Sequence, residues 1–175
     1  MSQRALLTIL LLVSAILVAP VSADPAPTPS LDAARNEYFA VWSNEDNADA
    51  FGQLLDPALT ALGSPVRLTS RATYLEKPVV AYDHHHNEYI CLWSEFQLTT
   101  DWDGYGTRVS PAGQPIGHPF GFTTGPDVQL QLALAQDTQA GPFLFVWHDF
   151  RNQSWDIYGQ LWVHPRPTYL PIMRK

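Results

Sequence analysis

The stretch Asn36-Glu37-Tyr38-Phe39-Ala40-Val41-Trp42-Ser43 returns as Asn87-Glu88-Tyr89-Ile90-Cys91-Leu92-Trp93-Ser94 and, more loosely, as Gly141-Pro142-Phe143-Leu144-Phe145-Val146-Trp147-His148. Each copy ends an apolar run on tryptophan, and Trp42, Trp93 and Trp147 set a period of 51 and then 54 residues. Downstream, each copy carries Asp, one residue, an aromatic and Gly: Asp49-Ala50-Phe51-Gly52, Asp103-Gly104-Tyr105-Gly106 and Asp156-Ile157-Tyr158-Gly159. From Gly52 to Ser70 and from Gly106 to Thr124 the first two copies align without gaps, sharing Pro57/Pro111, Gly63/Gly117, Pro65/Pro119 and Thr69/Thr123. Self-similarity at this period marks a supersecondary unit that buries its apolar faces by stacking on its neighbours.

Within a copy the pattern is that of strands. Val79 to Tyr82, Tyr89 to Trp93, Tyr105 to Val109 and Phe120 to Thr124 are short apolar runs separated by Asp, Asn, Gly and Pro clusters. The run from Tyr89 to Trp93 is apolar on both faces, as in a strand covered on both sides. No stretch after residue 30 keeps a 3.6-residue apolar period for three turns except Val128 to Ala135, whose alternation fits a strand better. Four antiparallel strands per ~50 residues, with an aromatic in each second strand, describe a β-propeller blade. The expected fold is therefore all-β, with three four-stranded antiparallel propeller-type blades over residues 31–70, 71–124 and 125–166, and the tryptophans between blades. Closed rings use about four to eight blades. Three copies thus imply a partial propeller or one completed by a second chain, and the need of stacked repeats for covered end faces favours a homodimer of six blades. The third copy lacks a clear fourth strand.

The termini differ in character. Residues 1–23 combine Arg4, the apolar run Ala5 to Ala19 and the small-x-small ending Val21-Ser22-Ala23, the pattern of a secretory signal peptide. A Pro-rich linker follows at 24–30, and the tail 167–175 is apolar, punctuated by proline and closed by two cations. The expected location is secreted or at the cell surface, with no transmembrane segment once the signal is cleaved. Removing residues 1–23 leaves 9 basic against 17 acidic side chains, which argues against a nucleic-acid partner, since phosphate binding needs a basic patch. Cys91 is the one cysteine, so no internal disulfide is available, and its apolar setting reads as a buried small hydrophobe.

Once laid out, the repeat resembles those of exported bacterial β-propeller proteins of the TolB and WD40-like class. The best match is Trp147-His148-Asp149-Phe150-Arg151-Asn152-Gln153-Ser154-Trp155-Asp156-Ile157-Tyr158-Gly159-Gln160, and Arg67-Leu68-Thr69-Ser70 looks like the end of a blade. The resemblance covers nearly all of residues 31–163.

Three groups of residues invite chemistry. Asp83-His84-His85-His86 carries ligand types suited to zinc or copper, with Asp83, His84 and His86 as the candidate set. Consecutive residues of an extended chain point to opposite faces, so a solvated turn is the expected reading. Acidic loops between second and third strands contain Glu45, Asp46 and Asp49, then Glu95, Asp101 and Asp103, then Asp149 and Asp156. Calcium takes clustered carboxylates, but a hairpin Asp that binds neighbouring amides explains its recurrence in Asp49, Asp103 and Asp156. No cofactor is expected. Finally, Trp102 and Trp155 stand just before the repeated Asp, where exposed rings stack on sugars or peptides or else pack over the hairpin. The ligand-facing set is then Trp102, Trp155, Asp101, Asp149 and Arg151.

A nucleophile elbow, a His-Glu-x-x-His helix, a Ser-x-x-Lys pair and a phosphate loop are all missing from the sequence. The leading expectation is an exported, non-catalytic binding or scaffold protein that recognises a protein or glycan through these loops. The alternative is a glycan-active hydrolase or lyase of propeller fold. An enzyme should show carboxylates that differ between blades and meet in one cleft, whereas a binder should show similar loops with exposed aromatics.

Overall fold

A computed structural model describes residues 27–44, 49–69, 74–137, 139, 141–163 and 166–168, the last three and their register without side chains. The expected signal peptide at 1–23, residues 24–26 of the expected linker, Glu45, Asp46 and residues 169–175 of the tail lie outside the described residues. Among the described residues there is no helix; twelve strands form three sheets of four. The first blade comprises β1 (Thr28–Asp32), β2 (Glu37–Asn44), β3 (Asp49–Leu55) and β4 (Ala61–Arg67). The second comprises β5 (Val79–Asp83), β6 (Glu88–Gln97), β7 (Asp101–Val109) and β8 (Pro115–Thr123), and the third β9 (Gln129–Gln136), β10 (Phe143–Asp149), β11 (Asp156–Val163) and β12 (Arg166–Thr168). Every pairing is antiparallel and follows chain order. The fourth strand of the last blade, not clear in the sequence, is the short β12, which runs from the last residue of the third copy into the tail.

The register repeats from sheet to sheet. Trp42 faces Phe51, Trp93 faces Tyr105 and Trp147 faces Tyr158. In each blade the repeated glycine faces an aliphatic residue of the second strand: Gly52 with Val41, Gly106 with Leu92 and Gly159 with Val146. Space dictates the glycine at 52, where a Cβ would sit 2.2 Å from the Phe39 ring, and at 106, where it would sit 2.6 Å from Leu92.

Alternation sorts each strand's side chains to two faces, and two cores result. Between the first two blades, Phe39, Val41 and Leu54 pack on Val80, Tyr82, Tyr89, Cys91 and Val109. Phe39 stacks on Tyr89 with ring centroids 4.9 Å apart. Between the second and third, Ile90, Leu92 and Phe122 meet Leu132, Phe143, Phe145, Trp147 and Trp162, with Val79 and Ala81 alongside. The first strands β1, β5 and β9 lie next to one another in turn, as the innermost strands of consecutive blades do. Cys91 is fully buried, and burial raises its thiol pKa well above the usual range.

The first hairpin of each blade carries a turn that the period in tryptophan does not reveal. Asp32 accepts the amides of Ala34 and Arg35, Asp83 those of His85 and His86, and Asp137 that of Gln139. Four residues after each Asp comes a positive φ: Asn36 at 55°, Asn87 at 53° and Gly141 at 91°. Asn and Gly are the residues that tolerate this region at least cost.

Candidate functional site

The end of the blades that carries the second-to-third-strand loops holds the polar residues singled out by the sequence. At position two after each repeated tryptophan stands a different polar residue: Asn44, Glu95 and Asp149. Trp93 Nε1 donates to Glu95 Oε2 at 3.1 Å, and Trp147 Nε1 donates to Asp149 Oδ2 at 2.9 Å. The acid two residues after the tryptophan is thus tied to the indole, a spacing visible in the sequence once one asks what a buried N–H must find.

The two acids then diverge. Asp149 is buried and receives Arg151 through Nε at 2.8 Å, through the backbone amide at 3.0 Å and through an NH2 group. Burial pushes its carboxyl pKa up, but the bonds from Arg151 and Trp147 outweigh that and leave it lowered. Arg151 also lies over the Tyr158 ring, 4.3 Å from its centroid. In the second blade the residue in the place of Arg151 is neutral Gln97, which donates to Glu95 Oε1 at 3.1 Å. Burial raises the Glu95 carboxyl pKa, and repulsion from Asp49 and Asp103 adds to the rise beyond what Trp93 and Gln97 offset.

Across the hairpin, Asp103 faces Glu95 in register. Directly opposed residues share a face, with Cβ atoms ~4.5–5.5 Å apart. Asp103 is buried, its Oδ2 takes the Thr100 hydroxyl at 2.6 Å, and its Oδ1 has no partner. Burial raises its pKa as well, with Asp101 adding to the effect. By contrast, the matching Asp49 of the first blade has Arg67 at 2.7 Å and Thr69 at 2.7 Å. Among the described residues, the repeated hairpin Asp takes side-chain partners, while Asp32, Asp83 and Asp137 accept backbone amides.

Gln97 and Thr100, the side chains bonded to the two carboxyls, also line an open groove of about 330 Å³ together with Phe96, Leu98, Asp101 and Asp127. Tyr74 and Leu98 stand exposed beside it, and Tyr74, Phe96 and Trp102 form an edge-to-face series with centroids 6.4 and 5.8 Å apart. The groove brings Asp101 together with the aromatic series that contains Trp102. Trp155 packs on Phe150 and His148 of the third blade while keeping 54% exposure, and Asp149 and Arg151 hold that hairpin rather than line the groove.

The histidine turn sits at the opposite end. Asp83, fully buried, accepts the amides of His85 and His86, His86 Nδ1 at 2.8 Å and Gln136 Nε2 of the third blade at 2.7 Å. Burial would raise its carboxyl pKa, but these bonds lower it overall. His84 stands edge-on to Tyr82, and its amide donates to Gln136. Among the described residues no three His, Cys, Asp or Glu side chains gather as a metal site. This turn clamps the second blade to the third.

Comparison with known proteins bears on the fold. No protein-family model matches the sequence, and no curated protein does. Among solved structures, an endo-arabinase from Bacteroides thetaiotaomicron is similar at 16% identity and a TM-score of 0.52, over 82% of this chain and 55% of that one. An α-L-arabinofuranosidase from Lactobacillus brevis is similar at 11% identity and a TM-score of 0.55, over 83% of this chain and 52% of that one. The fold is a partial β-propeller. The chain spans about half the length of these two structures. Both bear the names of glycan-acting enzymes, and the carboxylates here differ from blade to blade. These two findings correct the expectation of a non-catalytic binding or scaffold protein. Among the described residues, no helix is long and apolar enough to cross a membrane.

Proposed function

We propose that the chain is an exported, glycan-active hydrolase of propeller fold, with Glu95 and Asp103 as its working carboxyl pair. The observation that carries this reading is their direct opposition in the β6–β7 register, with both carboxyl pKa values raised and no Lys or Arg bonded to either among the described residues. Glycoside hydrolysis uses two carboxyl groups, one to protonate the leaving oxygen and one to attack or to activate water, and a separation of ~5–5.5 Å suits direct attack with retention. Direct opposition sets the Cβ atoms of such neighbours ~4.5–5.5 Å apart, so the two acidic side chains leave the same face of the hairpin side by side.

The roles follow from the surroundings. Asp103 held by Thr100 is the nucleophile. Burial, with the charges of Asp49 and Asp103 beside it, raises the Glu95 carboxyl pKa, the direction that suits the general acid. Sugar rings approach along the groove over Phe96, with Trp102 and Tyr74 as stacking surfaces.

The test is a hydrolysis screen of the mature protein on a polysaccharide panel that includes arabinan and arabinofuranosyl-substituted glycans. Turnover is expected, reduced ~100-fold or more in Glu95→Gln and in Asp103→Asn. No turnover by the wild-type protein on any member, or full activity in both variants, overturns the reading.

A further inference from the structure

The two end faces of the array are those of an interrupted stack. At the second-to-third junction, an aliphatic face made by Val79, Ala81, Ile90 and Leu92 meets an aromatic face made by Phe143, Phe145, Trp147 and Trp162. The repeat maps these positions onto the ends. On the third blade Ala133 and Ala135 pair with Val146 and Leu144, as Val79 and Ala81 pair with Leu92 and Ile90. Leu161 and Ile157 extend the same face from β11. Leu144 is 37% and Ile157 44% exposed, whereas Ile90 and Leu92 are both at 0%. On the first blade, the positions of Phe143, Phe145 and Trp147 are held by Tyr38, Ala40 and Trp42, beside Leu31 and Phe51. Leu31 is 41% exposed, and Trp42 is half-buried where Trp93 and Trp147 are buried.

We infer that the aliphatic face of the third blade docks on the aromatic face of the first blade of a second copy, and that two such contacts close a ring of six blades. The same aliphatic-on-aromatic division already joins the second and third blades, so the contact continues an interface present within the chain. Each sheet is made from one contiguous segment, so no strand of the described chain is handed across to tie the ends. The contact is heterologous, blade three on blade one; repeated once with a twofold axis it closes, and otherwise it grows into a filament.

The test uses exposed positions on the two faces, Leu144→Glu and Ile157→Glu on blade three and Leu31→Arg on blade one, with the fold of each variant checked by circular dichroism. Sedimentation equilibrium of the mature protein should give a dimer at micromolar concentration, and each variant alone should weaken it ~100-fold or more. Mixing Leu144→Glu with Leu31→Arg should restore a heterodimer tighter than either variant forms with itself, because one of its two interfaces is then fully wild-type. A wild-type monomer at ~100 µM overturns the proposal, as does a polymer beyond two copies. So does a dimer indifferent to Leu31→Arg, the result given by a symmetric contact of blade three with itself or by the chain's own tail covering that face.

Discussion

Replacing Trp93 and Trp42 by alanine, one at a time, perturbs the same repeat position in two settings. Trp93 is 1% exposed and ties its indole N–H to Glu95. Trp42 is half-buried on an end face, stacked on Phe51 with centroids 6.2 Å apart, and the residue two positions on is Asn44 rather than an acid. A buried tryptophan withdraws ~150–250 Å² from water, which at ~25 cal/mol per Å² gives about 4–6 kcal/mol as an upper figure. Core Trp→Ala substitutions cost ~3–5 kcal/mol, the value expected for Trp93. Half the burial puts Trp42→Ala near ~2 kcal/mol. Urea denaturation followed by circular dichroism, at protein concentrations low enough to keep the chain monomeric, measures both. A cost under ~1 kcal/mol for Trp93→Ala, or equal costs for the two, refutes the stacked-blade account.

The carboxyl pair makes a pH-dependent counterpart. A carboxyl pKa raised in the folded state contributes stability that is present below its unfolded value, ~4.3 for Glu and ~3.9 for Asp, and lost as pH rises through the folded value. Glu95→Gln should therefore melt above the wild-type protein at pH 7, with the gap closing near pH 4, and a constant gap counts against a strained pair. Asp149 has the reverse sign: its lowered carboxyl pKa adds stability above ~3.9 that fades as pH falls through the folded value. Arg151→Ala should cost ~1–3 kcal/mol at pH 7 and progressively less in acid, as chemical denaturation at several pH values will show. Cys91 should react with a thiol reagent only as fast as the chain unfolds, so rapid labelling of native protein would contradict its burial.

The fold was legible because the repeat leaves its mark in residues that packing constrains. Gly52 and Gly106 recur since no Cβ fits beside Phe39 and Leu92, and Tyr89 to Trp93 is apolar throughout since both faces of that strand meet a neighbour. The fourth strand of the last blade is faint in the sequence because its three residues carry no period, and only the tail offers a segment to pair there. The site was half legible. Its acids and aromatics stand out as residue types, but whether a carboxylate meets a cation is decided across the hairpin, as when Arg67 reaches Asp49 while Asp103, among the described residues, meets Thr100. The histidine cluster drew the eye for its chemistry, whereas its fixed element is Asp83, whose equivalence with Asp32 and Asp137 became visible only through the turns they share.

Each sheet uses an unbroken segment of chain, and this has a bearing on how such a molecule can change in size. Duplicating or excising one segment in frame leaves every remaining hydrogen-bonded ladder intact and alters only which apolar face is left bare. Copy number is then free to drift as long as something shields that face, and the blade count of the finished assembly is a property of surfaces meeting rather than of covalent order.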